Sequence, residues 1–410
     1  MREQRNPELV PGWFLLLCLF LIWCGIAFGQ TRQLSTGLID LTSLPIISPD
    51  SQRAVYADAA GLWSVPLHGG PSTLLAALGS RQLFGAAQIT PDGSRVVYIS
   101  DQDTQGKPEL YSVPISGGPS VRISKDLVLG GHVLNFDLSL SLDQVYYEAD
   151  AVTNNTVELW RVPVTGGLSV RVNRTLPATN YDVFEYANGG SPEYVVYRVG
   201  RTVQGRYELW SVSATGTSSS ARRISPSSMV TGGAVNDHFS ISPDGTVVYL
   251  ADTIDDNRFD LWSVPIAGGA STRLDRNDGR SVREDFKVDA SGVRYSYSAT
   301  EWWSVSITGG AAIPIPPPMP EPVRSPDGEW IVYGAGVGLW SSHTSGDHQL
   351  VSCPGQTVTA TFVGKPTYSV SPDSRTVLYV AGELWSGPIS GSICLIFKDG
   401  FESGNQGAWR

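Results

Sequence analysis

Residues Phe239–Leu274 read FSISPDGTVVYLADTIDDNRFDLWSVPIAGGASTRL, and they carry the signals of four short antiparallel strands. The tetrapeptide Ser242-Pro243-Asp244-Gly245 predicts a turn, because proline presets φ, aspartate bonds the backbone two residues on, and glycine accepts positive φ. The β-prone stretches Val247–Leu250 and Leu261–Val264 flank a polar loop and predict a hairpin. A strand before the turn and a short one after Gly268-Gly269 complete a four-stranded sheet.

Copies of this segment recur from about residue 45 to about residue 397, and two aromatic positions mark each copy. The third-strand position holds Trp63, Tyr111, Trp160, Trp210, Trp262, Trp303, Trp340 and Trp385; the second-strand position holds Tyr56, Tyr98, Tyr147, Tyr197, Tyr249, Tyr297, Tyr333 and Tyr379. One such sheet cannot bury both faces, so each copy needs a similar neighbour on either side. The sequence therefore predicts an all-β, eight-bladed propeller of four-stranded antiparallel blades, or seven blades if the sixth or eighth copy forms no sheet. Seven of the twelve tryptophans occupy the third-strand position, where we expect them to pack between sheets.

The order S-P-D-G, V-V-Y, E-L-W-S-V-P, G-G and R-L resembles the WD-like propeller repeat of the TolB family. The best-matching turns are Thr90-Pro91-Asp92-Gly93, Ser242-Pro243-Asp244-Gly245, Ser325-Pro326-Asp327-Gly328 and Ser371-Pro372-Asp373. The same repeat forms the non-catalytic propeller of prolyl-oligopeptidase-like enzymes, but the G-x-S-x-G pentapeptide of their hydrolase domain is absent from this sequence. The resemblance implies a fold and no particular function, since the repeat occurs in proteins with unrelated activities.

The first 29 residues have the pattern of a signal peptide. Arg2 and Arg5 give a basic start, Trp13–Phe28 is apolar, and small residues precede a cleavage site before Gln30. A retained membrane anchor is the alternative, although the apolar run is shorter than the roughly 20 residues that span a bilayer. We thus predict a leader at 1–29, a propeller at 30–397 and a tail at 398–410, exported to the periplasm or the exterior of a bacterial cell.

Charge and cysteine content limit the partners. The net charge is −10, and an acidic chain without a basic cluster argues against nucleic acid or an anionic membrane surface as partner. We expect a monomer that does not insert into membranes once the leader is removed. Cys353 and Cys394 then remain, and they either form one disulfide or stay free, because their separation cannot be judged from sequence.

Two segments depart from the regular copy. Thr31–Ser35 resembles the endings of other copies, so we hypothesise that it supplies the outer strand of the last sheet, with Ile393–Phe397 as the rival. Ile313–Pro322 is rich in proline, which lacks the backbone donor of a strand, so the outer strand of the sixth copy is predicted to be short or absent.

Acidic residues in the long hairpin loops are the candidate metal ligands. Asp101, Asp103 and Glu109 stand at the spacing of a calcium loop with Gly106 at the sharp turn, and Asp150 with Glu158 and Asp252 with Asp260 repeat one acid pair. The alternative is that these aspartates bond nearby backbone amides and hold no metal. The five histidines show no zinc pattern, and we assign no catalytic, metal or cofactor-binding residue.

Loops that lead into the innermost strands of a propeller converge on one mouth of its channel. Here they include Asn180–Asp182, Asn236–His238 and Arg283–Asp285, whose amides and acids suit a cation, an amine or a sugar. Our leading interpretation is a non-catalytic binding or scaffold protein for a protein or glycan. The alternative is a metal-assisted hydrolase or lyase, which requires Asp182, Asp237, His238, Glu284 and Asp285 to approach one another. A third hypothesis, a sensor ectodomain, requires an uncleaved leader.

Overall fold

The computed structural model describes residues 32–35, 45–176, 181–201, 206–226, 233–289, 292–315, 323–327, 329–335, 338–343, 348–350, 361–362, 365–366, 368–381 and 383–388. These residues divide into two compact units, one of residues 34–322 and one that joins residues 1–33 to residues 323–410. Strands dominate both units, and the helical content of the described residues is a single 3₁₀ turn at Ser218–Ser220. The prediction of an all-β chain is confirmed.

The unit of residues 34–322 contains six four-stranded antiparallel sheets, numbered here in chain order. Sheet 1 consists of Ile46–Ile47, Arg53–Asp58, Gly61–Pro66 and Thr73–Ala77; sheet 2 of Gln88–Ile89, Arg95–Ser100, Glu109–Pro114 and Val121–Arg122; sheet 3 of Val133–Leu138, Gln144–Ala149, Glu158–Pro163 and Val170–Arg171. Sheet 4 consists of Tyr181–Gly189, Tyr194–Arg201, Tyr207–Ser213 and Arg222–Arg223; sheet 5 of Val235–Ile241, Thr246–Ala251, Asp260–Pro265 and Thr272–Arg273; sheet 6 of Lys287–Asp289, Gly292–Ser298, Glu301–Val305 and Ile313–Ile315. The outer strand of sheet 6 is short, as its prolines predict.

The second unit contains two further four-stranded sheets and one strand pair. Sheet 7 consists of Val323–Arg324, Trp330–Ala335, Gly338–His343 and His348–Leu350; sheet 8 of Tyr368–Val370, Thr376–Ala381, Glu383–Pro388 and Arg32–Gln33; the pair of Thr361–Phe362 and Lys365–Pro366. In sheet 8 the N-terminal strand lies antiparallel to the third strand, with Arg32 opposite Ser386 and Gln33 opposite Trp385. The hypothesis that the N-terminal segment supplies the outer strand of the last sheet is confirmed. The rival segment, Ile393–Phe397, lies outside the described residues.

The Ser-Pro-Asp turns form as the sequence predicts. The Asp92 carboxylate accepts the amide of Ser94, two residues on, at 3.0 Å and the Thr90 hydroxyl at 2.5 Å. The Thr90 hydroxyl oxygen in turn accepts the amide of Arg95, where the second strand begins. These bonds hold the pKa of Asp92 below its usual value, the Thr90 hydroxyl contributing most. Equivalent bonds occur at Asp50, Asp244, Asp327 and Asp373.

The two aromatic positions lie opposite each other in every sheet. The cross-strand pairs are Tyr56 with Trp63, Tyr98 with Tyr111, Tyr147 with Trp160, Tyr197 with Trp210, Tyr249 with Trp262, Tyr295 with Trp303, Tyr333 with Trp340 and Tyr379 with Trp385. In sheet 6 the predicted Tyr297 does lie near the end of the second strand, but the residue opposite Trp303 is Tyr295. A register shift of one residue between Ser296 and Ser298 leaves Tyr297 without a residue opposite it on the third strand.

Within the larger unit, consecutive sheets bury opposite faces against their two neighbours. Val247 and Tyr249 pack with side chains of sheet 4, whereas Val248 and Leu250 pack with side chains of sheet 6. This alternation follows from the two-residue period of a strand. It explains why second strands such as Val247–Leu250 are apolar at every position, since both of their faces are covered.

Tyrosine contributes more to this core than tryptophan does. The paired tyrosines of sheets 1 to 6 are at most 4% exposed. Trp160 is 6% exposed, but Trp63, Trp210, Trp262 and Trp303 are only half-buried. The indole nitrogens of Trp63, Trp210 and Trp303 donate to acids of the same sheet, as Trp63 Nε1 does to Asp58 Oδ1 at 2.8 Å. The indole nitrogen of Trp262 has no hydrogen-bond partner among the described residues. The expectation that the indoles themselves fill the space between sheets is correct only in part, because most of them lie at its margin.

A recurring contact joins one sheet to the next. It is made by the third residue after the fourth strand of the first sheet. The amide of Lys125, after sheet 2, donates to the Tyr147 hydroxyl of sheet 3 at 3.1 Å, and its ammonium lies 5.5 Å from the Trp160 ring centroid. Arg174 repeats both contacts with Tyr197 and Trp210, and Arg276 repeats them with Tyr297 and Trp303. A cation on an indole face stabilises such a junction by about 0.5–2 kcal/mol.

Sheets 3 and 4 are linked by one carboxylate, that of Glu193, which is 6% exposed. It accepts hydrogen bonds from the Ser139 hydroxyl at 2.8 Å, the Leu140 amide at 3.0 Å and the Ser141 amide at 2.9 Å, all in the first turn of sheet 3. Asn188 of sheet 4 donates a further bond at 2.9 Å. Burial raises the pKa of Glu193, but these donors outweigh it and hold the pKa below its usual value.

We predict that Glu193→Gln lowers the free energy of unfolding by about 2–3 kcal/mol at neutral pH, because a buried carboxylate bonded by several donors loses its charge. A depressed folded pKa contributes stability above the unfolded pKa, near 4.5, and that contribution is lost as pH falls through the folded pKa. The difference from the wild type should therefore shrink in acid. Urea unfolding at pH 7 and at pH 3 measures both, with the exposed Asp143→Asn of the same turn as control. An equal difference at both pH values would contradict the prediction.

Candidate functional site

The aspartates that begin the long hairpin loops bond backbone amides. Asp101 accepts the amides of Gln82 at 2.8 Å and Gly106 at 2.9 Å, one oxygen to each. Asp150 does the same with His132 and Asn155, and Asp252 with Ala234 and Asn257. In each case one amide belongs to the loop itself and the other to the segment that leads into a first strand. The aspartates thus tie two loops together, as the amide-bonding alternative predicted.

The acids eight residues later pair with arginines of the fourth strand. Glu109 Oε1 lies 2.9 Å from Arg122 Nη1, and Glu158 Oε1 lies 2.9 Å from Arg171 Nη1. Asp260 is fully buried and lies 2.6 Å from Arg273 Nη2. The sequence contained a signal for these ion pairs, the arginine in the R-I and R-L endings of the copies. The sequence analysis did not connect that arginine with the acids.

The calcium hypothesis needs the two acids of each loop to share one ion. The structure instead directs Asp101 to amides and Glu109 to a guanidinium. Within the described ranges, no group of three or more His, Cys, Asp or Glu side chains is arranged to hold a metal ion. Calcium binding by these loops stays a prediction for calorimetry.

Asp182, also predicted at the mouth, contacts sheet 3. Its Oδ1 accepts the Val157 amide of the sheet 3 hairpin loop at 2.8 Å. Burial, more than the nearby charge of Asp150, raises its pKa. Asn180 lies outside the described residues. The contacts of Asp182 are thus structural, and they join sheet 4 to sheet 3.

Two other predicted loops do come together, on the first strand of sheet 5 and the segment that leads into sheet 6. The Asn236 amide donates to Glu284 Oε1 at 3.0 Å, and the His238 ring packs edge-on against Phe286 with centroids 4.7 Å apart. Asp237, Arg283 and Glu284 are exposed. We call residues 236–238 and 283–286 the sheet 5–6 rim.

Side chains within the rim are held in place by one another. Asn236 Oδ1 accepts the His238 amide at 2.9 Å. Asp285 accepts the Ser296 hydroxyl at 2.7 Å on one oxygen and Arg283 Nε at 3.2 Å on the other. The rim therefore presents an amide, carboxylates, a guanidinium and an aromatic edge from a fixed backbone, which suits hydrogen bonding to a polar ligand.

A second group of charges surrounds Arg198 of sheet 4. Arg198 is 7% exposed, and its Nε lies 2.6 Å from Glu185 Oε2. Its guanidinium carbon lies 4.0 Å from the Tyr207 ring centroid and 5.3 Å from that of Phe184. Arg198 Nη1 also donates to the Val235 carbonyl at 3.5 Å, at the start of sheet 5. The arginine is thus enclosed by an acid, two rings and a carbonyl.

Glu148 of sheet 3 is a buried acid beside this group. It is 7% exposed, and its Oε1 has no hydrogen-bond partner among the described residues. Burial, with a smaller contribution from the Glu185 charge, raises the pKa of Glu148 to about 8. Burial, with a smaller contribution from the Glu148 charge, raises the pKa of Tyr186, whose hydroxyl donates to the Tyr146 carbonyl at 3.1 Å.

Sequence reasoning missed Glu148 and Arg198, although the aligned copies contain a signal. Both residues follow the paired tyrosine of the second strand, where Ile99 and Leu250 stand in sheets 2 and 5. The other six copies have an uncharged residue at this position, so the charge marks these two sheets as different from the rest.

Several predicted features fall on residues that the structure does not describe: the leader at 1–29, Cys353, Cys394 and the tail at 398–410. Among the residues that are described, no helix has the length and apolar character needed to cross a membrane.

No known protein family matches the sequence. Among solved structures, a TolB protein from Agrobacterium tumefaciens is 18% identical over 56% of this chain and 79% of its own, with a TM-score of 0.36. An oligogalacturonate lyase in complex with manganese is 15% identical over 88% of this chain and 98% of its own, with a TM-score of 0.48. Dipeptidyl peptidase 4 from Porphyromonas gingivalis is 10% identical over 85% of this chain and 56% of its own, with a TM-score of 0.52. The shared feature is the fold, repeated four-stranded antiparallel sheets like those of TolB-like and prolyl-oligopeptidase-like propellers.

We predict that Glu148→Gln stabilises the protein at pH 8 by about 2 kcal/mol, with little effect at pH 4.5. A raised folded pKa means that stability is fully present below the unfolded pKa, near 4.5, and is lost as pH rises toward 8. Glutamine is neutral throughout and removes that loss. Thermal unfolding followed by circular dichroism at the two pH values measures the effect, with the exposed Asp103→Asn as control. A variant that is destabilised equally at both pH values would contradict it.

Proposed function

We propose that this protein is an exported, non-catalytic, eight-bladed β-propeller that binds a protein or glycan partner. The blade number is supported by the eight copies in the sequence, each with its paired aromatic positions on neighbouring strands. Export is supported by the basic and apolar pattern of the first 29 residues. We further propose that it acts as a monomer in the periplasm or outside the cell.

The observation that carries the binding proposal is the sheet 5–6 rim. The exposed carboxylate of Glu284 is anchored by Asn236, and the exposed guanidinium of Arg283 is anchored by Asp285. Anchored polar groups cost less conformational entropy on binding than free side chains do. An aromatic edge beside them adds an apolar surface to these polar contacts.

An enzymatic function at the mouth has weaker support. It requires titratable side chains from several loops to meet, and the described contacts of Asp182 are with the sheet 3 loop instead. His238 does lie on the same rim as Glu284, so the variants that test binding also test this alternative.

We predict that Asp237→Ser combined with Glu284→Gln weakens capture of the partner from a bacterial envelope extract, or binding to a glycan array, by the immobilised mature protein. Each replacement removes an exposed charge and leaves the strands intact, so affinity should fall at least about tenfold for the pair. Asp103→Ser, on a hairpin loop of sheet 2, is the matched control. Capture that is unchanged in the double variant would refute the assignment of the rim, and turnover of a captured glycan would favour the enzyme.

We also predict that the protein recovered from the periplasm or medium of an expressing bacterium begins at Gln30, because the small residues before it suit leader cleavage. N-terminal sequencing measures this directly. An intact leader on membrane-bound protein would support the sensor ectodomain, and full-length protein in the cytoplasm would count against export altogether.

A further inference from the structure

A cavity of about 290 Å³ lies between the hairpin turn of sheet 1 and the segment that leads into sheet 2. Its lining residues are Ala57, Asp58, Ala59, Leu78, Arg81, Gln82 and Leu83. The cavity thus has two charged side chains of opposite sign, one amide side chain and a few apolar groups. The cavity is separate from the sheet 5–6 rim and from the charges around Arg198 and Glu148.

The acid of the cavity is held rigidly through one of its two oxygens. Asp58 Oδ1 accepts the amides of Ala60 at 2.9 Å and Gly61 at 3.0 Å, and the indole nitrogen of Trp63 at 2.8 Å. Asp58 Oδ2 takes part in none of these bonds. A carboxylate fixed in this way keeps acceptor sites on its second oxygen for a donor that enters the cavity.

Arg81, the basic residue of the cavity, has one donor without a hydrogen-bond partner among the described residues. Arg81 Nη1 is buried and has no hydrogen-bond partner within the described part of the chain. No ion pair joins Arg81 to Asp58 in that part of the chain, although both residues line the cavity. The charge of Arg81 acts on Asp101 instead: burial raises the pKa of Asp101, but the Gln82 and Gly106 amides and the Arg81 charge outweigh it.

The segment that carries Arg81 is fixed to both sheets. The Arg81 amide donates to the Leu78 carbonyl at 2.8 Å, and the Gln82 amide donates to Asp101 Oδ1 at 2.8 Å. Leu83 then forms a bridge with Ser100 of sheet 2. Because both walls are held by backbone bonds, the cavity is formed before any ligand arrives.

We propose that this cavity is a binding site for a free α-amino acid. The ligand carboxylate accepts from the Arg81 guanidinium, and its ammonium donates to Asp58 Oδ2. Charges of both signs in one small cavity complement a dipolar molecule better than a simple anion or cation, because only the dipolar molecule pairs with both of them at once. The cavity volume suits a molecule of this size, and the Gln82 amide adds a further donor and acceptor.

Isothermal titration calorimetry of the mature protein with a panel of common l-amino acids tests the proposal. We expect at least one to bind, and we expect acetate and ethylamine, which carry only one of the two charges, to bind at least about tenfold more weakly. No heat from any amino acid would overturn the proposal, and so would acetate or ethylamine binding as well as the best amino acid.

Matched variants assign the site. Arg81→Gln and Asp58→Asn each remove one charge, and asparagine can still accept the bonds that hold the turn, so each should weaken binding about tenfold to a hundredfold. Arg222→Gln, an exposed arginine on sheet 4, should bind like the wild type. Thermal unfolding shows whether each variant is folded, and folded Arg81→Gln with unchanged affinity would place the ligand elsewhere. The rim variants leave this cavity intact. Failure of the amino-acid proposal and failure of the rim proposal can therefore be told apart.

Discussion

The hydroxyl of the second-strand tyrosine lies deep between two sheets, where a polar group without a partner is costly. Tyr147 shows how the repeat meets this requirement: its hydroxyl donates to Ser169 of its own sheet and accepts the Lys125 amide that follows the previous sheet. One buried atom thus fixes both the outer edge of a sheet and the distance to its neighbour. The serine after the Gly-Gly pair and the cation over the indole both follow from that position.

Where the copies depart from the common pattern, the departures satisfy one another. The first turn of sheet 3 lacks the Ser-Pro-Asp-Gly sequence, and Glu193 from the irregular turn of sheet 4 takes the place of the missing aspartate. In the same two sheets, Glu148 and Arg198 replace apolar residues, and Arg198 is enclosed by an acid and two rings. Charges at such depth are tolerated because they are paired or neutralised.

The chemistry available for binding lies at strand ends and on the segments that join strands, whereas the middles of the strands are nearly all committed to the core. Asp58 ends the second strand of sheet 1, Arg81 stands on the connection to sheet 2, and the sheet 5–6 rim lies at or just before the start of two first strands. This division is common in scaffolds built from repeated sheets, because loops vary without disturbing the packing beneath them. Rigid sheets then hold the variable residues in fixed positions.

The architecture of each unit could be predicted from the sequence alone. The turn chemistry, the β-prone second strands and the paired aromatic positions all lie within one copy, and each further copy repeats them. The sequence also identified the N-terminal strand that completes sheet 8, because Thr31–Ser35 resembles other outer strands. The hydrogen-bond and ion-pair partners of the acids could be assigned only from the tertiary structure. Glu158 and Arg171 are 13 residues apart, and Asn236 and Glu284 are 48 residues apart, so their contacts depend on register and on sheet-to-sheet packing. Packing between sheets also joins Asp182 to sheet 3 and places Asp58 and Arg81 in one cavity. Local sequence does not reveal these contacts, because it does not show which side chains meet across a sheet interface.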